Sequence, residues 1–151
     1  MSVLPITKQS AWNHSEIESF LASQNTPMRV AVEDTDKFPM ICSVWHLYHE
    51  QIIYAVAHKN SKLIKKLHAK PHCAFEIAPN EPPYKGVRGQ ANCVISDYDC
   101  SEKLTLLLDR FLGDGYKQLR GFLSSRTVDE RVIELHIHKI TAWDFSQRMH
   151  K

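Results

Sequence analysis

The alternation of apolar and polar residues changes rhythm several times along the chain, and each change marks an element. Ser15-Glu16-Ile17-Glu18 reads as a capping box, with Ile17, Phe20 and Leu21 behind it at helical spacing. This helix is expected to end before Thr26-Pro27, because the residue preceding a proline disfavours the α conformation. From Met28 the period shortens. Residues 28–32 read as a first strand and Glu33-Asp34-Thr35-Asp36-Lys37 as a polar turn. Residues 39–48 read as a second strand rich in β-branched and aromatic side chains. Residues 52–57 form a third, after the short connection His49-Glu50-Gln51.

Helical spacing returns at Leu63, Ile64 and Leu67, in a short helix capped by Asn60 or Ser61 and stopped by Pro71. Residues 73–77 read as a fourth strand, and Asn80-Glu81-Pro82-Pro83 as a loop, since paired prolines do not serve a sheet interior. Residues 85–96 read as a long fifth strand in which Gly86 and Gly89 mark a bend or bulge. Leu104, Leu107, Leu108 and Phe111 fall on one face of a helix over residues 101–112, closed by Gly113. A further helical stretch covers residues 116–123. Residues 131–145 read as the last strand, with Ile133, Leu135 and Ile137 alternating against Glu134, His136 and His138.

The order is helix, three strands, short helix, two strands, two helices, strand. Close polar turns favour antiparallel neighbours, and the regular βα alternation of a doubly wound sheet is missing. The expected fold is mainly β (α+β): a six-stranded antiparallel split β-barrel with peripheral helices, closure serving to hide strand edges. With 151 residues, no repeat and no linker, a single domain over residues 1–151 is expected.

Composition adds exclusions. A net charge of +2, with 43% hydrophobic and 24% charged residues, gives no strong attraction to nucleic acid or acidic membranes. Nine histidines would make the chain more basic below neutral pH. No apolar run approaches the roughly 20 residues of a membrane span, and the first residues lack the pattern of a signal peptide, so a cytoplasmic protein is expected. Cys42, Cys73, Cys93 and Cys100 form no C-x-x-C pair and no zinc spacing, and read as reduced, structural residues.

Chemistry concentrates between Tyr54 and Pro71. A strand delivers the chain into His58-Lys59-Asn60-Ser61-Lys62, where a helix begins. Free amides at a helix start, a hydroxyl and a lysine together suit a phosphate. The plainer alternative is that Lys62, Lys65 and Lys66 are the solvated face of a short helix. Neither G-x-G-x-x-G nor the P-loop pattern occurs, which argues against Rossmann and P-loop proteins.

Four segments in order carry a resemblance. Residues 39–46 (Pro-Met-Ile-Cys-Ser-Val-Trp-His) are similar to a P-x-x-x-P-V-W-F strand, and the strand–turn–Ser61-Lys62–helix–Lys70-Pro71 run matches a phosphate-binding turn. Val87-Arg88-Gly89-Gln90-Ala91 resembles a V-x-G-x-A strand, and Ile140-Thr141-Ala142-Trp143-Asp144-Phe145 a closing W-D-F segment. Together these resemble the FMN-binding split-barrel family related to pyridoxamine 5′-phosphate oxidase, over about residues 26–149. The resemblance implies an FMN-dependent oxidoreductase working as a homodimer with the cofactor at the interface. Deazaflavin and haem are alternative ligands, and a non-catalytic flavin or haem carrier is the alternative role. It further implies that Ser61 and Lys62 hold the phosphate and that Ser43, Val44, Trp45 and His46 line the flavin. Ala55 and Val56 would contact it from the next strand. Tyr84 and Lys85 would reach it from the other subunit, and Trp143 would lie near the ring.

Two departures stand out. Ser61 occupies the position where an arginine often precedes the lysine, with Lys59 or His58 as possible substitutes. The C-terminus lacks the R-x-x-P of true pyridoxamine-phosphate oxidases. His136 and His138, about 7 Å apart along a strand, read as a solvated pair rather than half a metal site. His46 and His49 read as polar surface ahead of haem ligands. Arg88 and Arg120 read as surface arginines. Glu76, Asp97, Asp99 and Asp144 make no acid–base pair, no nucleophile system is evident, and no catalytic residue or substrate is assigned.

Overall fold

A computed structural model describes residues 3–98 and 100–149. Its elements are α1 (His14–Ser23), β1 (Met28–Glu33), β2 (Pro39–Val44), β3 (Leu47–His49), β4 (Ile52–His58), α2 (Lys62–Ala69) and β5 (His72–Ile77). They continue with β6 (Lys85–Ser96), α3 (Cys100–Leu112), α4 (Lys117–Ser125) and β7 (Glu130–Asp144), with single 3₁₀ turns at Thr127–Asp129 and Ser146–Met149. Asp99 lies outside the described residues.

The strands form one antiparallel sheet in the order β2-β1-β5-β6-β7-β4-β3. β2 and β3 stand at opposite edges, yet only Trp45 and His46 separate them in sequence. Three Cα steps span roughly 11 Å at most, so the sheet must curl until its two edges approach. β2 and β4 come into contact across the gap. The outcome is a seven-stranded split half-barrel rather than six strands. The expected single strand over residues 39–48 breaks at Trp45-His46, because the chain there leaves one edge of the sheet for the other.

Alternation fills the inside. Met28, Val30 and Val32 of β1, Phe75 and Ile77 of β5, and Ile133 and Leu135 of β7 are buried. Leu63, Ile64 and Leu67 of α2 join the same core. β7 carries a bulge: Gln90 faces Lys139 while Ala91 faces Ile137, leaving His138 as the extra residue. This resets the phase, so that Ile140 and Ala142 are buried after Leu135. Beyond the bulge β4 no longer covers β7, and residues 5–11 run along that edge instead. Thr7 N–H donates to the Ile140 carbonyl at 3.0 Å and Ala11 N–H to that of Ala142 at 2.9 Å.

The cap of α1 is Asn13, whose side chain accepts from Glu16 N–H at 2.9 Å while Glu16 reaches back to Asn13 N–H. The capping box therefore begins two residues before the expected Ser15, because asparagine caps as well as serine and Glu16 sits at the third helical position. Among the described residues, no helix is long and apolar enough to cross a membrane.

Candidate functional site

Val56 lies on β4 with its side chain opposite to the core-facing Ile53 and Ala55. Ser43 and Val44 end β2, and Trp45 begins the crossing. With Pro27 and two residues of α3, Leu104 and Leu107, they line a cleft of about 350 Å³. α3 is the wall that sequence reasoning did not place. Its apolar face is legible at Leu104, Leu107, Leu108 and Phe111, but nothing local says which sheet surface it covers.

Phe111 stacks on Trp45 at 5.5 Å between ring centroids, 10° from parallel, and meets His46 edge-on at 5.5 Å. Arg110, beside it, donates to the carbonyls of Ala22, Leu21 and Gln24 at 2.7, 2.9 and 2.6 Å. α1 has no basic residue in its own last turn. The guanidinium of Arg110 thus caps α1 from α3 and fixes the wall of the cleft to the body of the fold.

His46 corrects the surface reading: it is completely buried. Its Nε2 lies 3.0 Å from the Thr26 carbonyl, which requires the Nε2–H tautomer, and Nδ1 is buried with no hydrogen-bond partner. Burial, then the nearby Arg110 charge, push its pKa down to about 4, so the ring is neutral near pH 7. With Nε2 engaged and Nδ1 enclosed, His46 is a poor open metal or haem ligand. His49 is exposed and lies 3.6 Å from Glu50.

The second feature lies where β4 hands over to α2. The Ser61 hydroxyl caps α2, accepting from Ile64 N–H at 3.2 Å. Lys62 Nζ lies 2.8 Å from one oxygen of Asp34, and Lys66 Nζ lies 2.8 Å from the other. Asp34 sits in the turn between β1 and β2 and also accepts from Thr35 N–H at 2.7 Å. These donors, Lys62 and Lys66 foremost, hold its carboxyl well below the usual carboxylate range. No local signal pairs a turn acid with a helix 28 positions away, so sequence reasoning missed Asp34. Lys59 and His58, the suggested substitutes for the absent arginine, are engaged elsewhere. Lys59 pairs with Asp129 at 3.0 Å, and His58 Nδ1 accepts from Asn60 N–H at 3.0 Å.

The cleft and the Lys62–Asp34 cluster lie at opposite ends of β2, roughly 16 Å apart at 3.3 Å per residue. The remaining predicted residues do not join them within the chain. Ala55 faces the core and is paired with Ile133, so its side chain is turned from the cleft. Lys85 is opposite Asp144 and Trp143 opposite Gly86, at the far end of β6 and β7 from the β4–β7 pairing. Tyr84 is exposed beside them, and the Arg88 guanidinium lies 5.5 Å from the Trp143 ring. Arg120 is held by Asp109 at 2.7 Å. His136 and His138 are exposed, His136 pairing with Glu134 at 3.0 Å. Among the described residues no group of three or more ligand side chains converges as a metal site.

All four cysteines are free thiols, with Cys73 and Cys93 in contact at 3.5 Å between sulfurs. The close pairing and burial hold the Cys73 thiol up.

No family model matches the sequence, and no curated protein matches it. Solved structures do. A conserved hypothetical protein from Mycobacterium tuberculosis, Rv2991, superposes with a TM-score of 0.76 at 14% identity, covering 96% of this chain and 92% of its own. An F420 reductase matches with a TM-score of 0.64 at 16% identity over 80% of this chain and 93% of its own. HutZ, the haem storage protein from Vibrio cholerae, matches with a TM-score of 0.62 at 14% identity over 86% and 92%. Pyridoxamine 5′-phosphate oxidase-like proteins are also among the similar structures. The F420 reductase, HutZ and the pyridoxamine 5′-phosphate oxidase-like structures share the split-barrel fold. The chain has the split-barrel fold.

Proposed function

We propose that the chain binds a flavin, FMN in the first instance, with the ring in the cleft at Trp45 and the phosphate at the Lys62 turn. In this reading it works as a homodimeric oxidoreductase. The observation that carries the proposal is the cleft itself. Ser43, Val44, Trp45 and Val56, four residues named from the sequence, line one cavity of about 350 Å³. Its volume falls within the roughly 300–1,000 Å³ of small-molecule sites, and its lining is mainly apolar, as a flat aromatic ring requires. The separation of cleft and cationic turn along β2 suits a ligand with a ring at one end and a phosphate at the other.

A flavin supplies hydride-accepting and hydride-donating chemistry. The chain's part is to orient it: Trp45, held by its stacking on Phe111, presents an aromatic ring, Leu104 and Leu107 exclude water, and Lys62 offers charge to the phosphate. Neutral His46 stiffens the crossing from β2 to β3 from within. No side chain at the cleft has the position and partners of a general acid or base, so the catalytic assignment stays with the flavin.

The outer face of the sheet supports the dimer. Ile41, Ala31, Ala74 and Gln90 lie side by side across β2, β1, β5 and β6, and Ser43, Arg29, Glu76 and Arg88 form the next row. The exposed Ile41 and the small Ala31 and Ala74 beside alternating charges suit a second sheet lying flat upon them, and Tyr84, Lys85 and Trp143 would then be offered to the partner's cleft.

A non-catalytic flavin or haem carrier is the second reading, favoured by the absence of an acid–base residue at the cleft. Anaerobic addition of a nicotinamide donor to the FMN-loaded protein separates the two. Bleaching of the flavin bands, followed by reoxidation with a second substrate, marks an oxidoreductase. Bands unmoved by nicotinamide or deazaflavin donors mark a carrier.

A further inference from the structure

The cationic side chains at the phosphate end already hold an anion. Lys62 and Lys66 are one helical turn apart on α2, so both ammonium groups project from the same face. They converge on Asp34, each taking one carboxylate oxygen at 2.8 Å. Asp34 is held rigidly: its carbonyl accepts from Lys37 N–H and its amide donates to Phe38, closing the β1–β2 turn. The Lys66 side chain is only 18% exposed and that of Asp34 21%, so the Lys66–Asp34 pair is the enclosed part of the cluster, with Lys62, 61% exposed, on its solvent side. A carboxylate with two oxygens shared between two lysines imitates the arrangement a phosphate ester would take.

We propose that Asp34 is an intramolecular competitor for the phosphate and thereby sets the selectivity of the site between phosphorylated and unphosphorylated flavins. The inference rests on the assignment of phosphate to the Lys62 turn. An incoming phosphate must displace the carboxylate or share the lysines with it, and sharing places two anions within a few ångströms of one another. Either route subtracts from the attraction that Lys62 and Lys66 would otherwise give. Ser61, standing where an arginine often precedes the lysine, adds no cation to offset this, and Lys59 is held by Asp129. The site is therefore tuned against tight capture of a phosphate dianion, and the ring cleft carries a correspondingly larger share of the binding. Riboflavin then suffers little disadvantage against FMN.

The test is flavin fluorescence titration of the full chain with FMN and with riboflavin at low ionic strength, for wild type, Asp34→Asn and Lys62→Ala. Asp34→Asn keeps the size of the side chain and removes its charge. It is expected to tighten FMN about tenfold while leaving riboflavin within about twofold. Inorganic phosphate should compete with FMN more effectively in Asp34→Asn than in wild type. Asp34→Ser, checked by circular dichroism, gives the same reading should the amide disturb the turn. FMN affinity equal to or weaker than wild type in both Asp34 variants would overturn the proposal. If Lys62→Ala also weakens FMN selectively, the phosphate assignment survives and only the competitor role fails. If FMN and riboflavin bind alike in all chains, or FMN binds to none, the phosphate assignment has failed and takes the competitor with it.

Discussion

Arg110 offers the most direct way to ask whether α3 is a fixed wall of the cleft. Its guanidinium donates to three carbonyls at the end of α1, at 2.6 to 2.9 Å. Hydrogen bonds from a charged donor are worth about 1.5–3 kcal/mol each. The α1 terminus is partly exposed, so its carbonyls regain water when the arginine is removed, and the lower end of that range applies with a further discount. Arg110→Met keeps the aliphatic stem and removes the fork. It is expected to cost about 3 kcal/mol, which for a chain of this size lowers Tm by about 9 °C. Arg110→Lys restores a point charge without the fork and should recover less than half of the loss. Thermal and urea unfolding followed by circular dichroism give both numbers. Tryptophan fluorescence should shift to the red in Arg110→Met below its transition, as Phe111 loosens from Trp45. A Tm within about 2 °C of wild type, with unshifted fluorescence, would refute the claim that this contact holds the wall.

Three further outcomes follow from the same geometry. The pKa of His46 is lowered to about 4 in the folded chain against an ordinary 6.5, so the unfolded chain binds more protons between these values. Stability should be unaffected by His46 above pH 6.5, fall by about 3 kcal/mol as pH drops from 6.5 to 4, and level off below. His46→Gln should flatten that segment of the urea-midpoint profile, and an unchanged slope would count against the assignment. At Gly89, a Cβ would stand 2.3 Å from the Lys139 carbonyl oxygen and 2.7 Å from Cζ of Phe75. Gly89→Ala should therefore destabilise by about 3 kcal/mol or fail to fold, and a Tm close to wild type would show that the β6–β7 bulge yields more easily than its packing implies. Ser61→Ala should cost about 1 kcal/mol of stability through the lost α2 cap. Ser61→Asp should restore the cap yet weaken FMN in a fluorescence titration, and FMN affinity undiminished in Ser61→Asp would place the phosphate elsewhere.

Much of the fold was legible because most of its elements are periodic over their whole length. β6 at Lys85–Ser96 has the boundaries its pattern implies, and β4, β5, α2 and β7 begin and end within two residues of expectation. The break at Trp45-His46 was not legible, because both halves of residues 39–48 alternate like one strand. Only the closure of the barrel forces the chain to change edges there. For the site, Ser43, Val44, Trp45 and Val56 were named through the resemblance of their two strands to the split-barrel family, and the fold brings these four to one cleft. Phe111, Arg110 and Asp34 could not be named, because each acts through a partner dozens of residues away. His46 reads as surface from its neighbours, but in the fold Phe111 packs edge-on against it and the Thr26 carbonyl, in the connection from α1 to β1, meets its Nε2.

The central claim is that a flavin lies between the Trp45 cleft and the Lys62 turn. The measurement that tests it most directly is the visible absorption spectrum of the purified chain after incubation with FMN and gel filtration. Bands co-eluting with the protein and shifted from those of free FMN, and lost in a variant with Val56→Trp filling the cleft, are the predicted result. A colourless protein after reconstitution contradicts the FMN assignment, and a Soret band in the protein as purified would give the site to haem.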